Sequence, residues 1–388
     1  MLSTFTLENG VAFTYTDSGP VEQNGAYPTL FVIHGHTFHA GTFRRLHPLA
    51  SHSGLRVICL NRREYDGSSL YPEDELAVFT TGTEEERAAL LGVQGRDLAL
   101  CIDGIIRSLA LPKAGGVALM AWSLGNVFLL SVLASLNTLP APTKERLVQW
   151  VHTAIIFQAP SFVFGVPPAK NLLVPQTDPT IPPAEKKVAF AKWVSSFFEH
   201  PGDLSTHDLS ALTYPAPLNP PPDKTPTIQR MTPEEVQSVI NTAPGPRYDD
   251  FISFPPYAGI LAAQAERALW DVGTRKAWVR MNERGGGLWT IYATADCWNT
   301  IHAGWVLEDE AMAHPGLPMR FQVLEGANHF LMWEDPQRAL DVFKRCMPVP
   351  TKTSPSSSAI SRAGCCTSAF IAMSRVWSAI RRDVLRRA

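Results

Sequence analysis

Six short apolar runs rich in β-branched and aromatic residues, separated by stretches of helical periodicity, constrain this chain more than any other feature. They are TLFVIHG (29–35), LRVICLN (55–61), GVALMAWS (116–123), WVHTAIIFQAP (150–160), LWTIYATAD (288–296) and MRFQVLEG (319–326). Such runs predict strands of a parallel sheet covered on both faces, because a strand buried on both sides has no need of the in–out alternation of a half-exposed one. QGRDLALCIDGIIRSLAL, between the second and third runs, has apolar residues at helical spacing. LGNVFLLSVLASL, after the third, is apolar almost all round, as a helix packed beneath its neighbours would be. The opening MLSTFTLENGVAFTYTDSGP predicts a β-hairpin rather than a secretory signal, since no basic start precedes an apolar run.

Between Ser161 and Pro256 this rhythm breaks. The region holds 18 of the chain's 32 prolines, which neither a parallel sheet nor long helices accept in their interiors. It predicts an insertion, over about residues 161–275, of short helices tied by proline-rich loops. EKKVAFAKWVSSFFEH (185–200), TPEEVQSVINTA (232–243) and GILAAQAERALWDVG (259–273) carry the helical pattern, and TPEE has an N-cap threonine, a first-turn proline and early acids. DPQRALDVFKRC predicts a last helix capped by Asp335. The folded domain is therefore expected over 1–347, followed by a Ser/Pro linker and a basic amphipathic tail over 348–388. One lysine and six arginines against one aspartate in residues 351–388 suit that tail to an anionic membrane surface.

Apolar residues at 45% and charged residues at 18% are enough to bury a large core and too few charges for a disordered chain. A net charge of −2 gives no reason to expect a nucleic-acid partner; a small, hydrophobic, weakly charged substrate fits better. The six cysteines have neither metal-ligand nor disulfide-framework spacing, and no run reaches about 18 apolar residues. Both observations point to a reducing, cytoplasmic setting. Oligomeric state leaves no trace in the sequence.

The chemistry concentrates in four strings. In VALMAWSLGNVF a β-run ends in Ala121-Trp122-Ser123-Leu124-Gly125 and passes directly into a helix, which matches the nucleophile elbow GxSxG with alanine at its first position. A serine on such a turn points its oxygen out of the sheet, while small flanking residues let helix and strand approach. FVIHGHTFHAGTF (31–43) ends a strand in His34-Gly35. LWTIYATADCWNT puts Asp296 at a strand end, and FQVLEGANHFLMWEDP puts His329 in the turn after the last strand. The chain order Ser123, Asp296, His329 is that of an α/β-hydrolase triad.

On these strings the chain resembles the α/β-hydrolase fold superfamily, in its serine hydrolase branch with a helical cap, over about residues 10–160 and 275–347. The resemblance implies a mostly parallel twisted sheet flanked by helices, with Ser123 as nucleophile, His329 as base and Asp296 as its orienting acid. It also implies an oxyanion hole made by the backbone N–H groups of His36 and Leu124. Haloalkane dehalogenases and epoxide hydrolases carry an aspartate where this chain has Ser123, so acyl chemistry is expected instead of an alkyl-enzyme ester. Ester or thioester hydrolysis, acyl transfer, carbon–carbon bond hydrolysis and a non-catalytic binding member all remain open. No cofactor motif is found. His34, His36 and His39 do not form a recognised zinc arrangement, so no metal is expected. In LRVICLNRREYDGSS, Asn61 and Arg62 replace the aspartate and small residue more usual there; Arg62, Arg63 and Glu64 read as solvated loop charge. Asp249, Asp250 and Asp271 lie in or beside the insertion and lack the strand-end framing of Asp296.

Overall fold

All six apolar runs are strands in the computed structural model of the chain, which describes residues 2–348 apart from 22–25, 168, 170, 171, 254 and 284. They are β3 (Thr29–Ile33), β4 (Arg56–Leu60), β5 (Val117–Trp122), β6 (Val151–Phe157), β7 (Gly287–Ala293) and β8 (Met319–Leu324); the opening hairpin supplies β1 (Leu2–Thr6) and β2 (Ala12–Asp17). The sheet order is β1-β2-β4-β3-β5-β6-β7-β8. β1 and β2 join antiparallel at one edge, and every pairing from β4 to β8 is parallel. The linker and tail expected over 348–388 lie, past Pro348, outside the described residues. Among them, no helix is long and apolar enough to cross a membrane.

Why the inner runs are largely apolar is visible in where their residues go, whereas β8, at the edge, is only partly buried and so departs from the expected cover on both faces. Phe31, Ile33, Ile58, Leu60, Leu119 and Ala121 join one core, while Leu30, Val32, Val57, Cys59, Met120 and Trp122 join the other, so successive residues feed opposite faces. The first face is covered by the helices Glu84–Ser108 and Gly125–Ser135, the second by elements that include Pro336–Arg345. Asp335 caps that last helix by accepting the Arg338 N–H at 3.0 Å. Glu84–Ser108 starts earlier than its apolar spacing suggests, because Thr83 and Glu86 form a reciprocal capping box ahead of the amphipathic part.

Between β6 and β7 the insertion forms short helices, three of them near the positions their sequence patterns mark: Lys186–Val194, Pro233–Gln237 and Ala258–Ala265. The second ends where the chain turns back to the loop after β3, and Ile240 bridges to Phe38 there. Asp271 caps the helix Val272–Ala277 by accepting the Thr274 N–H at 2.7 Å. The aromatic residues of the insertion divide: Phe162, Phe190 and Trp193 line a cavity, whereas Phe164, Phe198 and Tyr257 are buried in packing. β5 lies between β3 and β6, where the order of strands reverses. Open α/β sheets place their ligand sites outside the carboxyl ends of strands at such a reversal.

Candidate active site

Ser123 follows the last residue of β5 and adopts φ +56°, a left-handed conformation that a non-glycine residue takes only where its surroundings enforce it. Those surroundings are on both sides. Its N–H donates to Phe157 O at 3.0 Å, and its carbonyl accepts from the Asn126 side chain at 2.8 Å. Gly125 lies so close to β3 that an added Cβ would stand 2.5 Å from the carbonyl oxygens of Ile33 and His34. Gly35 faces the nucleophile itself, where a Cβ would be 2.8 Å from Ser123 Cβ and 3.3 Å from its Oγ. Small residues at 35 and 125 thus permit the turn.

Asp296 and His329 are brought together from the turns after β7 and β8. His329 Nδ1 lies 3.0 Å from Asp296 Oδ2 and 3.1 Å from Oδ1, with the two residues 1% and 0% exposed. A carboxylate only accepts, so Nδ1 carries the proton and Nε2 presents a lone pair. Nε2 is buried and has no hydrogen-bond partner among the described residues. The imidazole is held by Trp122, whose ring centroid is 4.9 Å away and whose Nε1–H donates to His329 O at 3.1 Å. Asp296 is held in turn by Cys297, whose N–H and S–H donate to Oδ1 at 2.7 and 3.1 Å. Burial, then the Asp296 charge, pushes the Cys297 thiol well above its ordinary pKa, so it stays a donor. Asp296, Cys297 and His329 offer ligand atoms within 4.8 Å of one another. These atoms already bond to each other.

The loop after β3 completes the surroundings. The N–H groups of His36 and Leu124 make no hydrogen bond among the described residues, and Leu124 stands at the N-terminal, positive end of the helix Gly125–Ser135. His36 also contributes its side chain: Nε2 is 2.7 Å from Asp250 Oδ1 and Nδ1 is 2.7 Å from Thr37 Oγ1. His34 faces inward instead, with Nδ1 at 2.9 Å from Gly35 O and Nε2 accepting the Arg62 N–H at 3.1 Å. His39 Nε2 lies 3.3 Å from Asp66 Oδ2, so the three histidines of this loop take separate partners.

Ser123, His36, Leu124, His329 and Asp250 line one cavity of about 430 Å3. Phe162, Leu172, Phe190, Trp193, Leu261 and Trp298 form much of the rest, and no lysine or arginine lines it among the described residues. Ser123 and His329 both line this space, and no hydrogen bond joins Ser123 Oγ to His329 Nε2.

The structure overturns the reading of Arg62, Arg63 and Glu64 as solvated charge: all three are buried. Arg62 pairs with Asp249, Arg63 donates to Glu75 at 2.7 Å, and Glu64 accepts from Arg247 at 2.7 Å. Their partners come from the next helix and from the insertion, so the local sequence gave no sign of the charge neutralisation that permits burial. Asp249, Tyr65 and Cys297 are the residues near the site that sequence reasoning missed. Only Cys297, beside Asp296, had a local signal.

A parallel sheet with a strained serine between strand and helix, and a buried His–Asp pair at the neighbouring strand ends, defines a hydrolase-type α/β protein. The profile of the alpha/beta hydrolase family matches residues 30–342, and the chain belongs to that family. Among solved structures it is similar to a bromoperoxidase from Bacillus anthracis at 13% identity, covering 89% of this chain and 98% of that one, with a TM-score of 0.44. It is similar to Epoxide Hydrolase A from Mycobacterium thermoresistibile at 17% identity, with 88% and 97% covered and a TM-score of 0.45. A thioesterase domain from the curacin biosynthetic pathway matches at 14% identity over 89% and 99%, with a TM-score of 0.45. No curated protein sequence matches the chain.

Proposed function

We propose that this protein is a serine hydrolase that cleaves neutral, largely apolar esters or thioesters through an acyl-enzyme on Ser123. The observation that carries the reading is the buried His329–Asp296 pair, with Nε2 unpaired, lining the same cavity as a serine on a strained elbow.

In the proposed reaction the Ser123 Oγ–H proton passes to His329 Nε2 as Oγ bonds to the substrate carbonyl carbon, and the carbonyl oxygen becomes an oxyanion. The N–H groups of His36 and Leu124 receive that charge. Its stabilisation is worth roughly 3–4 kcal/mol per donor in such sites. Collapse breaks the bond to the leaving group, which takes the proton from His329; water then repeats the sequence and releases the acid. Asp296 holds the imidazole in the tautomer that makes Nε2 the base.

The cavity lining supports the substrate class. A largely apolar wall, with no lysine or arginine among the described residues, attracts an acyl chain more than a carboxylate or phosphate. Hydrolysis of p-nitrophenyl esters by the full chain, lost in Ser123→Ala with the fold intact, is the expected result. Equal hydrolysis by the two proteins would refute the proposal.

A further inference from the structure

The insertion reaches into the body of the domain with a charge. Asp249 is fully buried and meets Arg62 in a two-pronged ion pair, Nη1 to Oδ1 at 2.9 Å and Nη2 to Oδ2 at 2.8 Å. The same guanidinium donates to Gly35 O at 2.8 Å and, through Nε, to His34 O at 3.2 Å. Tyr65 adds the other prong. Its hydroxyl donates to Asp249 Oδ2 at 2.6 Å and accepts the Thr37 N–H at 3.0 Å. One carboxylate thus governs, through two side chains, the backbone on both sides of His36.

That backbone needs holding. Thr37 sits at φ +65°, an outlying conformation for a β-branched residue. Its carbonyl accepts from Asn241 N at 2.8 Å, and the His39 N–H donates to Val239 O at 3.0 Å, both partners belonging to the insertion. Asp250, next to Asp249, binds the His36 imidazole. Arg62 also lies over the ring of Phe128 at 4.5 Å, in the helix that begins beside Ser123.

We infer, building on the serine-hydrolase reading, that Asp249, acting through Arg62 and Tyr65, is a positioning residue for the oxyanion loop. The insertion is then a working part of the site as well as its cover: it sets the direction of the His36 N–H. A donor displaced by about 1 Å loses much of its value for the transition state while ground-state binding in the apolar cavity is hardly touched.

Tyr65→Phe is the cleanest test, because it deletes only the hydroxyl that links Asp249 to Thr37 and leaves the ion pair in place. The expected result is a kcat about 10- to 100-fold lower with KM within about twofold. Tyr257→Phe serves as the control, since it removes a buried hydroxyl whose hydrogen bond, to Phe79 O at 3.0 Å, involves neither Asp249, Arg62 nor residues 34–38. Asp249→Leu combined with Arg62→Met removes the whole device without stranding a buried charge, and kcat is expected to fall at least as far as in Tyr65→Phe. Hydrogen exchange of the peptide spanning 34–38 gives a readout independent of turnover, and it should quicken in Tyr65→Phe but not in Tyr257→Phe. Unchanged kcat and exchange in Tyr65→Phe, or losses matching those of Tyr257→Phe, would overturn the inference. If the wild-type chain hydrolyses no ester and yet exchange at 34–38 quickens in Tyr65→Phe, the positioning role stands and the hydrolase reading falls.

Discussion

His329 Nδ1 stands 3.0 Å from Asp296 Oδ2 and 3.1 Å from Oδ1, and of the two oxygens Oδ1 alone also accepts the Cys297 N–H, at 2.7 Å. This asymmetry decides what Asp296→Asn would do. The Cys297 donors keep the amide oxygen at the Oδ1 position, so the new NH2 group takes the Oδ2 position, 3.0 Å from Nδ1, and favours the tautomer in which Nδ1 accepts. The proton then moves to Nε2, where the base is needed. We expect the fold to survive and kcat to drop by on the order of 10⁴. Steady-state kinetics beside a melting curve checks this; near-wild-type kcat would move the acid elsewhere.

Gly35 and Gly125 should fail differently when changed to alanine. At Gly35 the added methyl meets Ser123 Cβ at 2.8 Å, so the nucleophile must shift and kcat should fall on the order of 10² with modest loss of stability. At Gly125 it meets two backbone carbonyl oxygens of the β3 end at 2.5 Å, which cannot swing away, so unfolding midpoints should drop as well. Chemical denaturation and kinetics on both variants separate the outcomes. Equal stability loss in the two would contradict this account.

The apolar cavity sets a length preference. Each further CH2 buried from water contributes about 0.8 kcal/mol, or roughly fourfold. kcat/KM for p-nitrophenyl esters should therefore rise steeply from acetate to hexanoate and then level off as the cavity of about 430 Å3 fills. A fall beyond acetate would show that the cavity does not take the acyl chain.

Acid should weaken the fold early. Burial, then the nearby Arg62 charge, holds the His34 pKa well below its ordinary value, and burial lowers His39 and His302 too. Below about pH 6.5 the unfolded chain binds protons that the folded one refuses. The stability tied to these groups is complete above that pH and is lost as pH falls from there towards the folded values. The fully buried His34 alone makes a slope of up to about 1.4 kcal/mol per pH unit. Urea unfolding at pH 7.5, 6.5 and 5.5 measures it; a flat profile would contradict the neutral, buried state of His34.

Much of this architecture could be read from local pattern. The inner strands are legible because both faces are buried, whereas the edge strand β8 is only partly buried, and the Ser123 elbow is legible because strand, serine and helix are contiguous. Asp296 and His329 are legible from strand ends. Asp249 is not, because its partner Arg62 lies far away in the chain and nothing in NRREYDGSS signals burial without the fold. The helix TPEEVQSVINTA is overread for a related reason: its capping box is local, but the bridge of Ile240 to Phe38 is tertiary.

Labelling by a fluorophosphonate, located by mass spectrometry on the folded chain, tests the central claim most directly. A serine hydroxyl attacks phosphorus at neutral pH only when a base takes its proton and donors receive the oxyanion. The account expects a single adduct, on Ser123, absent in Ser123→Ala and in His329→Ala. An adduct on a different serine, or none on folded wild-type protein, would contradict it.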